Sequence, residues 1–119
     1  EFDMGVWGGQ PYADLIARHG NFIDAESGLF TQVPPEGESY GDVAARLNDW
    51  INGMDPAPTQ RLVVMHGMSS RVLRGLLLGL EPDPRFGVPV AASLPQGSMV
   101  MIGGGTERII RLDEAGTRE

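Results

Sequence analysis

His66 is the residue of this sequence best placed to do chemistry, because it stands where an apolar run meets an amphipathic one. The four residues before it, 62–65, are all apolar, which is typical of a short strand buried on both faces of a parallel sheet. Ligand-binding groups collect at the carboxyl ends of such strands, and the N-terminus of a following helix favours bound anions. A histidine there titrates near neutral pH. The pattern fits a phosphate-contacting histidine and, equally, a histidine that caps the helix or packs in the core.

The elements around this junction follow from apolar spacing and breaker residues. Three helices are predicted, from Pro11 to about Arg18, from Ser39 to about Met54, and from Ser69 or Ser70 to about Leu80. Ser39 and Asp42 approximate a capping box at the start of the second helix. Residues 98–102 and 108–112 flank a glycine-rich turn and predict a hairpin. Three strands are few for a sheet that must cover three helices, so we expect further strands upstream.

Composition limits the classes of protein that this chain can belong to. With 119 residues and 41% apolar content, residues 1–119 are expected to form a single domain. The net charge of −7 argues against nucleic acid as a partner. No apolar stretch reaches the roughly 20 residues needed to cross a bilayer, and no signal peptide is visible. The chain has no cysteine to form disulfides, which fits a reducing cytoplasm. We expect a cytoplasmic protein that binds no membrane.

Three segments in order resemble those of the histidine phosphatase (phosphoglycerate mutase-like) superfamily. Residues 1–9 (Glu-Phe-Asp-Met-Gly-Val-Trp-Gly-Gly) resemble its Glu-x-x-x-Gly-x-Trp-x-Gly segment. Residues 35–39 (Pro-Glu-Gly-Glu-Ser), followed by Arg46, resemble its Pro-x-Gly-Glu-Ser segment and helix. Residues 64–71 resemble the strand that carries its second catalytic histidine. The resemblance implies a three-layer α/β/α phosphoglycerate mutase-like fold that lacks its N-terminal strand or strands, with this chain as the C-terminal portion of the domain.

The same resemblance implies phosphomonoester hydrolysis through a phosphohistidine, without metal or other cofactor. His66 would hold the oxygens of the transferring phosphoryl group, and Glu1 would protonate the leaving oxygen. The backbone N–H groups of Gly67 and Met68 are plausible further donors to a small phosphorylated substrate. This assignment agrees with general chemistry, because phosphoryl transfer needs positioned charge and donors, and an alkoxide leaving group needs a proton.

The family's nucleophilic histidine, in an Arg-His-Gly motif after the first strand, is expected upstream of this chain. Arg18-His19-Gly20 repeats that triplet, but residues 12–17 before it have a helical pattern and follow a helix-starting proline. We therefore interpret His19 as a histidine at the C-terminal end of a helix, where it favours the helix dipole. Residues 1–119 alone are expected to be inactive or nearly so.

Other functions stay open. The chain could be a noncatalytic module for binding or assembly, a phosphoglycerate-type mutase, or an unrelated α/β domain in which His66 is only structural. Without a neighbouring first strand, residues 62–65 would present a bare apolar edge, which predicts a possible homodimer. Glu38 and Arg46 are interpreted as structural, with Arg46 paired within the fold. Gly8 departs from the family pattern, which commonly has Glu there, and Met68 departs from its polar or glycine residue.

Overall fold

A computed structural model describes residues 1–111. It contains helices α1 (Tyr12–His19), α2 (Tyr40–Asn52) and α3 (Gly67–Leu78), strands β1 (Ser98–Gly103) and β2 (Thr106–Arg111), and a 3-10 turn at Gly5–Trp7. The three predicted helices and the predicted hairpin are therefore confirmed. Leu112, where the second hairpin strand was expected to end, lies outside the described residues.

Helix α2 follows its local sequence signals closely. The Ser39 hydroxyl accepts the Asp42 N–H at 3.1 Å, and the Asp42 carboxylate accepts the Ser39 N–H at 3.0 Å, so the capping box is complete. Val43 and Leu47 are buried one turn apart. The helix ends at Asn52 with Gly53 as its C-cap, ahead of the proline-containing segment 55–58.

Helix α3 begins earlier than the sequence predicted. Its N-cap is His66, with backbone angles of φ −79° and ψ 159°, whereas Ser69 and Ser70 were expected to cap it. The serine caps were a wrong prediction because both hydroxyls point back within the first turn. Ser69 donates to the His66 carbonyl at 3.3 Å, and Ser70 donates to the Gly67 carbonyl at 2.8 Å.

Residues 62–65, predicted as a strand, form no β-ladder with any other described residue. A strand exists only when its N–H and C=O groups pair with a neighbour, and none of residues 1–111 lies beside this run in that way. Leu62 is 80% exposed and Val64 is 90% exposed, so the run is not buried on both faces. The expectation of a buried strand is therefore wrong for the described residues.

The one sheet of the described chain is the hairpin of β1 and β2. The strands are antiparallel, with Ser98 opposite Arg111 and Gly103 opposite Thr106. Gly104 and Gly105 form the two-residue turn with φ of 59° and 77°, as a type I′ hairpin requires. Residues 1–111 thus form a mixed α/β structure of three helices and a two-stranded sheet, which is consistent with part of the expected α/β fold. No described helix is long and apolar enough to cross a membrane.

Two apolar clusters form the core and meet at the start of α3. The larger cluster joins α2 to α3 and comprises Phe2, Leu29, Tyr40, Val43, Ala44, Leu47, Val72, Leu73 and Val88. The smaller one comprises Trp7, Leu15, Phe22 and Phe30. The Met68 side chain packs against both clusters. Its place in the first turn of α3 therefore fixes the helix end that follows His66.

Candidate active site

The structure brings His66 and Glu1 together, although they are far apart in sequence. The His66 Nδ1 atom lies 3.6 Å from the Glu1 Oε2 atom, which is ion-pair distance when the imidazole is protonated. The other Glu1 oxygen, Oε1, accepts the Phe2 N–H at 2.8 Å. The His66 side chain is 76% exposed and that of Glu1 is 45% exposed. The pair is therefore accessible to a substrate in solution.

Gly67 and Met68 form the first turn of α3 directly beside this pair. No side chain caps the helix, and the first amides of a helix have no partner within it. The first intrahelical bond runs from the Ser70 N–H to the His66 carbonyl at 3.0 Å. A Cβ added at Gly67 would meet no atom within 4 Å apart from its chain neighbours and its own helix backbone, so the space beside its Cα is open. All four residues expected at the site thus lie within one small region.

Main-chain hydrogen bonds tie the segment that carries Glu1, residues 1–6, to the loop before α2. The Val6 N–H donates to the Pro35 carbonyl at 2.9 Å, and the Glu38 N–H donates to the Asp3 carbonyl at 2.8 Å. The backbones approach so closely that a Cβ on Gly37 would lie 2.6 Å from the Asp3 carbonyl oxygen. The segment is therefore held against the loop by main-chain contacts that require glycine.

The side chains of Glu38 and Arg46 add further hydrogen bonds to the same segment. Arg46 donates to Glu38 from Nε (2.7 Å, to Oε2) and from Nη2 (3.1 Å, to Oε1). Arg46 Nη2 also donates to the Glu1 carbonyl at 2.6 Å, and Glu38 Oε1 accepts the Asp3 N–H at 2.8 Å. The hydrogen bonds from Arg46 hold the pKa of Glu38 below its ordinary value, against the opposing effect of burial. The pairing of Arg46 within the fold, expected from the sequence, is confirmed.

No pattern in the sequence predicts that this pair reaches Glu1. Glu38 lies before α2 and Arg46 lies within it, so the rules for side chains one turn apart on a helix do not pair them. Their contacts with residues 1–3 span 35 residues from Glu38 and 45 from Arg46. The only signal in the sequence was their joint presence in the second family-like segment.

Arg71 and Arg74 of α3 form their contacts away from Glu1 and His66. Arg71 donates to the carbonyls of Ala91 (2.9 Å) and Ser27 (2.7 Å), so it ties α3 to two other segments of the chain. Burial lowers its pKa from the ordinary arginine value. Arg74 forms a two-point ion pair with Glu107 of the hairpin. These two guanidinium groups join segments of the fold.

His19 is the last residue of α1, as the helical pattern predicted. Its ring stacks on Trp7, with centroids 5.1 Å apart and planes inclined by 25°. Trp7 itself is almost completely buried, so its indole anchors the N-terminal segment in the smaller cluster. His19 therefore follows a helix and not a strand, unlike the nucleophile in the family pattern.

A surface concavity of the described chain lies away from these residues. It measures about 400 Å³ between residues 30–33, the start of α2 and residues 85–87, and neither Glu1 nor His66 lines it. Glu1 and His66 supply a carboxyl group and an imidazole beside amides that no side chain caps, whereas neither a carboxyl group nor an imidazole lines this concavity. We therefore place the candidate active site at the start of α3 and not in this concavity. Within residues 1–111, no group of three His, Cys, Asp or Glu could hold a metal ion.

A histidine and a carboxyl group beside uncapped helix amides form a site suited to an anionic ester that reacts by proton transfer. The family model that describes the histidine phosphatase superfamily (branch 1) matches residues 1–111, and the chain belongs to this superfamily. No curated protein and no solved structure gives a significant match. Membership supports a phosphatase-type or mutase-type function in general.

Proposed function

We propose that the intact protein hydrolyses small phosphomonoesters through a phosphohistidine. The observation that carries this proposal is the approach of Glu1 Oε2 to within 3.6 Å of His66 Nδ1, beside the uncapped start of α3. One group can give a proton and the other can bear positive charge next to free N–H donors. A phosphate ester requires all three at its reacting end.

The nucleophile in this proposal is a histidine outside residues 1–119. The chain contains two histidines. His66 is assigned to the phosphoryl oxygens, and His19 stacks on buried Trp7 at the end of a helix. We therefore assign the nucleophile that faces His66 across the phosphate to a histidine upstream of residues 1–119.

The reaction proceeds in two balanced steps. In the first, the nucleophilic imidazole nitrogen attacks phosphorus, the bond from phosphorus to the ester oxygen breaks, and the Glu1 carboxyl gives its proton to the departing oxygen. His66 and the amides of Gly67 and Met68 hold the equatorial oxygens, where negative charge develops. In the second, water attacks the phosphohistidine, the phosphorus–nitrogen bond breaks, and the Glu1 carboxylate takes the proton from the water.

The experiment is to trap the intermediate in the complete gene product. Rapid quenching after mixing with radiolabelled p-nitrophenyl phosphate should leave label that is lost in acid and kept in alkali, as expected of phosphohistidine. Residues 1–119 alone should take up none. Labelling of residues 1–119 at His19 would overturn the assignment of the nucleophile, and turnover without any labelled intermediate would overturn the mechanism.

A second candidate, a noncatalytic role in assembly, is favoured by the exposed run 62–65. Val64 is 90% exposed, and Val63 and Met65 line an apolar groove of about 200 Å³ with Trp50 of α2. The run is rich in residues that prefer strands, yet pairs with none of the described chain. An identical run from a second copy would satisfy its main chain and cover its apolar side chains. In this candidate the isolated chain forms a homodimer and has no catalytic role.

A further inference from the structure

We propose that Glu38 and Arg46 are positioning residues, which hold the main chain of Glu1 so that its carboxyl group stays opposite His66. This inference rests on the proposed role of Glu1 as the acid of phosphomonoester hydrolysis. It assigns a role in that reaction to two residues, neither of which touches the phosphate or the leaving group.

The Glu38–Arg46 pair forms hydrogen bonds with the main chain on both sides of Phe2. Arg46 Nη2 donates to the carbonyl of Glu1 at 2.6 Å, just before Phe2. Glu38 Oε1 accepts the N–H of Asp3 at 2.8 Å, just after Phe2. The same Arg46 nitrogen donates to the same Glu38 oxygen at 3.1 Å, so the two contacts are coupled. The planar guanidinium makes such a two-point arrangement rigid, which a lysine ammonium cannot do.

The position of the Glu1 carboxyl group depends on these hydrogen bonds because its own side chain makes few contacts. The carboxylate accepts one hydrogen bond, from the neighbouring Phe2 N–H, and otherwise faces His66. Its position is therefore set by the main chain. The Phe2 ring is buried against Tyr40, with centroids 5.0 Å apart, so that ring keeps the segment in the fold without fixing the direction of Glu1.

Hydrogen bonding within the pair keeps Glu38 and Arg46 in their charged forms. The Arg46 hydrogen bonds hold the pKa of Glu38 below its ordinary value, and Glu38 in turn raises the pKa of Arg46. Because both are partly exposed, their attraction contributes little to overall stability. Their removal should alter the placement of Glu1 more than it alters folding.

The test uses leaving groups that differ in their need for an acid. Nitrophenolate departs from p-nitrophenyl phosphate as a stable anion without a proton, whereas an alkoxide departs from an alkyl phosphate only with one. In the complete gene product, Glu38→Gln and Arg46→Lys should lower kcat/KM for an alkyl phosphate by about 10- to 100-fold, as expected of a misplaced catalytic group. For p-nitrophenyl phosphate kcat/KM should change little. Glu1→Gln should give the same selective loss and at least as large a one.

Controls separate this role from a structural one. Asp83→Asn removes a carboxylate that pairs with an arginine elsewhere, and it should leave both substrates unchanged. Arg46→Lys keeps the charge, so it remains informative if Glu38→Gln lowers the melting temperature. Equal losses for both substrates, or no loss for either, would overturn the positioning role. If Glu1→Gln lacks the selective loss, the acid itself is misassigned, and both the proposed function of Glu1 and this inference fail.

Discussion

Arg74 of α3 and Glu107 of β2 form a two-point ion pair, with contacts of 3.0 Å from Nε and 2.9 Å from Nη2. The Arg74 side chain is only 5% exposed, and its Nη1 donates to the Ala92 carbonyl at 2.7 Å. The pair is a polar link between the hairpin and α3, the helix that follows His66.

Glu107→Gln should therefore destabilise the protein by about 3 kcal/mol, because a buried guanidinium would lose its counter-charge. Urea unfolding of both proteins measures the difference. Asp83→Asn, which removes the carboxylate partner of the exposed Arg85, should cost less than about 1 kcal/mol. Equal effects of the two substitutions would show that Arg74 does not depend on Glu107.

Stability should also fall in acid. Hydrogen bonds from Arg74 hold the pKa of Glu107 below its ordinary value of 4.5, and those from Arg46 do the same for Glu38. A carboxyl group with a lowered folded-state pKa contributes its stability above the unfolded value and loses it as the pH falls through the folded one. The melting temperature should thus drop as the pH falls below 4.5, and Glu107→Gln should flatten that drop. A profile unchanged by this substitution would contradict the assignment.

Gly75 should not tolerate a side chain. A Cβ there would lie 2.7 Å from the backbone of Pro89, which cannot move without displacing the segment that Arg71 and Arg74 bind. Gly75→Ala should cost about 1–3 kcal/mol in denaturant unfolding. Gly41→Ala is the matched control, because its Cβ would make only an ordinary 3.7 Å contact inside α2. It should stabilise the protein by about 0.5–1 kcal/mol, and a loss as large as that at Gly75 would contradict the packing described.

Residues 1–119 alone should form a dimer through the run 62–65. Val64→Lys should shift the light-scattering mass towards the monomer, since a lysine on a strand edge opposes pairing. Val64 is almost fully exposed, so the substitution should not impair folding. Leu77→Lys, on α3, is the control for an exposed apolar residue away from the run and should leave the dimer intact. A monomer before any substitution would exclude this interface.

Local signals in the sequence were enough to predict α2 and the hairpin. Ser39 and Asp42 cap the same helix turn, and Gly104 and Gly105 adopt the positive φ of the turn they predicted. In contrast, the strand at 62–65 needed a partner that the described residues do not supply, because pairing is a tertiary property. The run of strand-forming residues could not reveal that.

The candidate site was predictable only as a set of residue types. The resemblance named Glu1, His66, Gly67 and Met68, but no spacing rule could show that Glu1 and His66 approach each other. The N-cap position of His66 was among the alternatives that the sequence left open, but serine, the commoner cap, drew the predicted start of α3 to Ser69 or Ser70. The hydrogen bond from Arg46 to the Glu1 carbonyl could not be predicted for a different reason. Every residue has a main-chain carbonyl, so the residue type at position 1 does not indicate such a contact.

The most direct test of the account is steady-state hydrolysis of p-nitrophenyl phosphate by the complete gene product and its His66→Gln variant. Glutamine keeps a hydrogen-bond donor but cannot become a cation beside the phosphoryl oxygens. The account predicts that kcat falls by about 100-fold or more, as expected when a charged group that stabilises the transition state is removed. Undiminished turnover by His66→Gln, with its fold intact by circular dichroism, would contradict the central claim that His66 acts on the phosphate.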